Sequence, residues 1–178
     1  MHNPRMVDPE FEINREIKAI SSKRKKTDAD HQRMEMLEWF GGLYEEDGQL
    51  VQPVAKVRKC LIEAARIHKL GKSVERALIL DGITTPLQYE GPRDPAEIYA
   101  TGNGYVSRLS VVVGGKRIMR ARPQFMPWGL KIDGTLLDDA GLNFDELERI
   151  ADLAGRAIGI GDNRVNGYGR FEVEVKPA

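Results

Sequence analysis

The run Gly159-Ile160-Gly161-Asp162-Asn163-Arg164-Val165-Asn166-Gly167-Tyr168-Gly169-Arg170-Phe171 decides how the rest of the chain is read. An amphipathic stripe leads into it. Phe144, Leu147, Ile150, Ala151, Ala154 and Ile158 recur at helical spacing, and Asn143 with Glu146 makes a capping-box-like start. Beyond it Phe171, Val173 and Val175 alternate as a last strand. Between helix and strand, four glycines permit positive φ and bare backbone N–H groups. Arg164, Arg170, Asn163, Asn166 and Tyr168 add charge, hydrogen bonds and a stacking face. That combination suits a phosphodiester backbone.

Working back from the loop, Trp128 to Thr135 reads as a strand, and two more, Ser107–Val113 and Lys116–Arg122, flank Gly114-Gly115. Alternation in the second sets Ile118, Arg120 and Arg122 on one face, so the two arginines stand side by side on the sheet. Two explanations remain open: a solvated face paired with acids, or a sheet surface touching a charged ligand. Residues 82–106 are rich in Gly, Pro, Asp and Tyr and form a long excursion, with Pro95 able to start a helical turn at Ala96–Tyr99. Ala77-Leu78-Ile79-Leu80 reads as a buried strand within Val74–Asp81.

Pro53 opens a helix whose apolar face is Val54, Val57, Leu61, Ala64 and Ala65, with Lys56, Lys59, Glu63 and Arg66 on the other side. Gly71-Lys72-Ser73 resembles the end of a P-loop, but Arg66 stands where the first glycine is required and a helix precedes the motif, which excludes that reading. Glu45-Glu46-Asp47-Gly48 marks a short hairpin. Thr27 with Asp30 caps a helix over about 28–40, stopped by Gly41-Gly42. Before it come the basic run Lys23-Arg24-Lys25-Lys26, either a solvated loop or a phosphate-contacting finger, and the mixed pattern Phe11, Ile13, Ile17, Ile20, which favours a strand.

The length of 178 residues suits a single α+β domain, 1–178, with insertions at 21–52 (basic loop, helix and hairpin) and 82–106. The element order matches a ferredoxin-like sheet with two helices on one face, the framework of RNA-recognition-motif folds. The stacking signature of those folds is not evident. Lysine plus arginine (27) balance aspartate plus glutamate (27), so any basic surface is local. The stretch 93–122 carries a net +4 and 133–152 a net −6, the latter counting Asp138, and such opposed patches suit head-to-tail self-association or mutual neutralisation within the monomer. A single cysteine, Cys60, and no apolar run near the roughly 18 residues of a membrane span lead us to expect a cytoplasmic protein without membrane partners. His2, His31 and His68 make no zinc pattern with Cys60, and no nucleophile–base constellation stands out, so neither enzyme activity nor a cofactor or metal is expected.

The loop at 159–171, between its helix and strand, resembles the glycine-rich loop of the RAMP superfamily, the repeating backbone subunits of CRISPR effector complexes. Pro53-Val54-Ala55-Lys56-Val57-Arg58 with Leu61 is similar to the early helix of those proteins after its proline turn. From Glu35–Leu43 through the glycine loop, most of the chain also resembles a group of uncharacterised bacteriophage proteins. The superfamily resemblance implies a modified RNA-recognition-like core, a protruding insertion at 82–106 and single-stranded nucleic acid held by backbone contacts. Its matched positions are Gly159, Gly161, Asn163, Arg164, Asn166, Gly167, Tyr168, Gly169 and Arg170. The chain departs from it in being short and not basic overall.

The sequence thus leads to non-enzymatic binding of single-stranded RNA or DNA by a self-associating protein. Its contacts would be the loop, Lys23, Arg24, Lys25, Lys26, Arg120 and Arg122. The alternative is a phage interaction module that mimics or docks on a host nucleoprotein complex, such as a CRISPR effector, with the glycine run serving only as a tight connection. Cytoplasm is the expected location in either case, that of the host cell if the protein is phage-encoded.

Overall fold

The structure, a computed structural model, describes residues 3–137 and 139–177; His2 and Asp138, both named above, lie outside them. In chain order, a short 3-10 turn at Pro4–Val7 leads to helix α1 (Glu12–Ser21), where the strand expected over these residues does not form. Ile13, Ile17 and Ile20 are spaced four and three apart, which is one helical face, and the face buries Ile20. Phe11, whose alternation with Ile13 suggested a strand, is the N-cap.

Helix α2 (Asp28–Gly42) starts at the expected capping box of Thr27 and Asp30 and runs through both glycines to Leu43. Strands β1 (Glu45–Glu46) and β2 (Gln49–Pro53) form the hairpin, turned at Asp47 and Gly48, both with positive φ. Pro53 N-caps helix α3 (Val54–Ile67), and helix α4 (Gly71–Ala77) follows. Strand β3 (Leu78–Leu80) is therefore shorter than expected. Val74 and Ala77 bury one face of a helix instead, three residues apart.

The excursion at 82–106 contains β4 (Thr84–Pro86), β5 (Gln88–Tyr89) and α5 (Pro95–Thr101), the last capped by the Asp94 side chain. Strands β6 (Val106–Val113) and β7 (Lys116–Pro123) pair antiparallel with Leu109 opposite Arg120 and Ser107 opposite Arg122. The stretch expected as one strand splits into β8 (Trp128–Gly129), paired with β5, and β9 (Gly134–Leu136), paired with β3. Helix α6 (Phe144–Leu153) begins at the Asn143–Glu146 capping box and widens into a π turn over Ala154–Ile158.

The protein is α+β, but no ferredoxin-like or modified RNA-recognition-motif sheet is evident among the described residues. Among the described residues the strands are distributed over four small sheets, and β6 and β7 pair with each other alone. Three of the expected strands fail for separable reasons: 11–20 is helical, 128–135 divides between two partners, and 171–177 joins no ladder although Phe171 and Val175 pack on the core.

The described residues build two compact units, one of 52–86 and 130–177, the other of 3–51 and 87–129. The first is centred on Cys60, Ala64, Val74, Ile150 and Ala154, where α3, α4 and α6 meet. The second has the fully buried Trp39, whose indole N–H donates to the Tyr105 carbonyl at 2.9 Å and whose ring meets Phe40 and Tyr99. Most of the two insertions marked in the sequence, 21–52 and 82–106, belongs to this second unit.

Candidate functional site

In the first unit, the glycine loop folds back along α3. The π turn sets this up. Gly159 donates its N–H to the Ala154 carbonyl at 2.8 Å, and a Cβ on Gly155 would overlap the Phe171 carbonyl oxygen that passes beside it. The loop then closes on itself through the Ile160 N–H and the Gly169 carbonyl, 2.9 Å apart. Gly169 has φ +68, and a Cβ there would overlap the Ile160 carbonyl oxygen. At the tip, Arg164–Asn166 form one 3-10 turn, entered through Asn163 in the left-handed region (φ 60) and tied by Asn166 Nδ2 to Asn163 Oδ1 at 2.6 Å.

Lys56, Cys60 and Glu63 lie four and three residues apart, on the face of α3 that meets this loop. Arg164 Nη1 donates to Glu63 Oε2 at 2.8 Å. Arg170 Nη2 donates to the Arg164 carbonyl at 3.3 Å, while Arg170 Nη1 is buried with no hydrogen-bond partner among the described residues. Glu63, Ile158, Gly161, Asn163, Arg164 and Arg170 line an open groove of about 520 Å³. Val165, at its rim, is 95% exposed, and Tyr168 is exposed nearby in sequence. The charged lining is Arg164 and Arg170 against Glu63 and Asp162, which balance.

Beneath the loop, burial pushes the Cys60 thiol up to about 11 and its Sγ lies 3.5 Å from the Ala154 carbonyl, so it is a neutral, packed thiol at physiological pH. Burial pushes Lys56 down to about 8, with the Asp162 charge opposing, and its Nζ donates to Gln52 Oε1 at 2.7 Å. The unfolded chain therefore binds more protons than the fold between pH 8 and 10.5, and stability contributed by Lys56 rises with pH across that window. Lys56→Met is expected to be more stable than the parent at pH 7 by about 1–2 kcal/mol. The difference should close by pH 10.5, as read by denaturant unfolding. A gap that stays constant with pH would show that the ammonium is not strained by burial.

The other residues singled out from sequence belong to the second unit. Lys23 is paired with Asp30 at 2.5 Å; this bond, helped by the Thr27 N–H, holds the Asp30 carboxyl down at about 2. Arg24 and Lys25 are exposed, and Lys26 donates to the Lys23 carbonyl at 3.3 Å. Arg120 and Arg122 both face Glu38 of α2, which is only 4% exposed: Arg120 bonds Oε1, Arg122 Nη1 lies 3.8 Å from Oε2, and the Ala121 N–H donates to Oε2 at 3.2 Å. Arg108 takes Glu35, one helical turn earlier, at 2.6 Å, and Arg93 lies over the Tyr89 ring at 4.7 Å. Much of the basic stretch 93–122 is thus engaged within its own unit, leaving Lys116 and Arg117 exposed beside the hairpin turn.

So the structure gathers Gly159, Gly161, Asn163, Arg164, Asn166, Gly167, Tyr168, Gly169 and Arg170 into one loop and assigns Arg120 and Arg122 a carboxylate of their own. Sequence reasoning missed Glu63 and Lys56, which it set on the solvent side of α3. Their spacing through Cys60 was the available signal, since a thiol at the edge of the apolar stripe brings its helical neighbours to the margin of the core. Comparison with protein-family models, curated proteins and solved structures gives no match.

Proposed function

We propose that the glycine loop binds single-stranded nucleic acid, RNA or DNA, through its phosphodiester backbone and without catalysis. The observation that carries this reading is the pair Arg164 and Arg170 in the lining of one open groove, with Arg170 Nη1 buried and without a hydrogen-bond partner among the described residues. A buried guanidinium N–H without a partner is costly, and a phosphate oxygen is the acceptor such a donor suits best. The exposed Tyr168 offers a base a ring, an interaction worth about 1–3 kcal/mol, and Val165 an apolar contact. The loop's resemblance to the RAMP superfamily points the same way. The proposal needs no ferredoxin-like sheet, because its contacts come from one loop and α3. Copies associating head to tail along a strand would extend it.

Fluorescence anisotropy with labelled single-stranded RNA, single-stranded DNA and duplex tests this. One single-stranded form should bind, weakening steeply with salt. Arg164→Ala with Arg170→Ala should weaken it at least tenfold at low salt and flatten the slope of log K against log salt by about 1.4, the share of two phosphates on a single strand. Absent binding by a folded protein, or binding indifferent to salt, would sink the proposal. The balanced charge of the groove lining favours a second reading, a module that docks on a protein or nucleoprotein complex. That reading expects a nuclease-resistant protein complex unaffected by the same two substitutions.

A further inference from the structure

Arg164 and Arg170 meet the groove in different states. Arg170 has no carboxylate partner among the described residues, and its buried Nη1 has no hydrogen bond there, whereas Arg164 is engaged by Glu63 at 2.8 Å, an ordinary charge-assisted distance. The carboxylate is two-thirds or more shielded (27% exposed) and belongs to the middle of α3, so it is delivered to Arg164 by a helix and not by a mobile loop. A tethered acceptor of this kind competes at an effective concentration of about millimolar or above. We infer that Glu63 is a specificity-determining residue: its carboxylate stands where a phosphate would bind Arg164, so the groove rejects single phosphates and admits a phosphodiester strand.

The inference rests on the single-strand reading and gives the ligand class its reason. A lone phosphate that reaches Arg170 competes with no carboxylate among the described residues, but must displace Glu63 to reach Arg164. A strand anchored at Arg170 presents its neighbouring phosphate to Arg164 intramolecularly, and each neutralised phosphate releases counterions, which a small ion does not match. The displaced carboxylate has another cation in reach. Lys59 Nζ is 3.9 Å from Glu63 Oε1, one helical turn away on the same helix. The balanced charge of the lining, awkward for a polyanion site, becomes net positive once Glu63 turns to Lys59.

The test compares the parent protein, Glu63→Gln, Glu75→Gln and Glu63→Gln with Arg164→Ala, using inorganic phosphate by calorimetry and labelled oligouridylate and oligothymidylate by anisotropy. Glu75 pairs with Arg66 at 3.3 Å outside this groove, so its variant reports the effect of losing one negative charge anywhere. Glu63→Gln keeps shape and hydrogen-bonding capacity, and a thermal melt verifies its folding. It should bind a strand about tenfold more tightly and acquire phosphate binding that the parent lacks, whereas Glu75→Gln gains less than about twofold. Adding Arg164→Ala should erase both gains. The inference is overturned if Glu75→Gln gains as much, if the gain survives loss of Arg164, or if the parent takes up phosphate as readily as Glu63→Gln. Should no form bind a strand, the single-strand reading fails. Phosphate binding confined to Glu63→Gln would then still support Glu63 as the competitor, and its absence there would overturn that as well.

Discussion

Alanine at Gly169 is expected to open the glycine loop, at a cost of about 3 kcal/mol, and, under the proposed function, to abolish binding of a single strand. Two penalties coincide. The residue sits at φ +68, where a Cβ costs about 1–2 kcal/mol, and the new methyl would overlap the Ile160 carbonyl oxygen. That oxygen is backbone, held next to the Ile160 N–H that donates to Gly169, so neither strand of the closure can step aside without breaking the bond at 2.9 Å. Gly167→Ala separates the two terms. Its φ is +84, but no atom lies within 4 Å of the added Cβ, so about 1 kcal/mol is expected. Cys60 supplies a local readout, because it is buried under the loop as a neutral thiol held up at about 11. Its alkylation should be slow in the parent and in Gly167→Ala and much faster in Gly169→Ala. Equal rates in the two variants would mean that the loop is not fastened at Gly169.

The parts of the structure legible in the sequence are those written locally. Thr27 with Asp30 and Asn143 with Glu146 each spell a helix start within four residues, and both capping boxes are formed. Asp47-Gly48 likewise makes its hairpin. Where a short apolar set fits two periods, the outcome depended on distant packing. Ile13, Ile17 and Ile20 became helical through contact with α2, which Arg33 and Glu16 reinforce with bonds of 2.6 and 2.8 Å. The site shows the same division. The loop and its arginines are visible as a run, but Glu63 is 101 residues from the Arg164 it engages, and Glu38 is 82 from Arg120. No spacing rule reaches across such intervals. Charge counts set 93–122 against 133–152, for self-association or mutual neutralisation, but the acids that Arg108 and Arg120 meet are Glu35 and Glu38 of α2, which no charge count singled out.

Those partners underlie the second large effect. Glu38→Ala is expected to destabilise the second unit by about 2–4 kcal/mol, since removing one member of a buried ion pair strands the other charges and polar groups. Glu38 accepts from two donors, the Arg120 guanidinium and the Ala121 N–H, and its charge also faces Arg122, whose Nη1 lies 3.8 Å away and donates to the Ala121 carbonyl. Ala121 is 2% exposed, so its N–H has no easy access to water, while the arginine side chains, 32% and 27% exposed, can partly rehydrate and hold the loss below the full value for a sealed pair. Glu38→Gln keeps an acceptor for Ala121 and should cost about half as much. Arg120→Ala leaves the carboxylate buried with the Ala121 N–H and the longer Arg122 contact, and should cost about as much as Glu38→Ala. The same variants decide what the arginine pair is for. If Arg120 and Arg122 exist to meet nucleic acid, Glu38→Gln frees them and tightens strand binding. If they exist to neutralise Glu38 against β7, denaturant unfolding records the loss of stability, and the strand affinity that the proposed function expects is unchanged. A carboxylate that also bonds the β7 backbone is placed to hold the sheet, so the second result is the expected one.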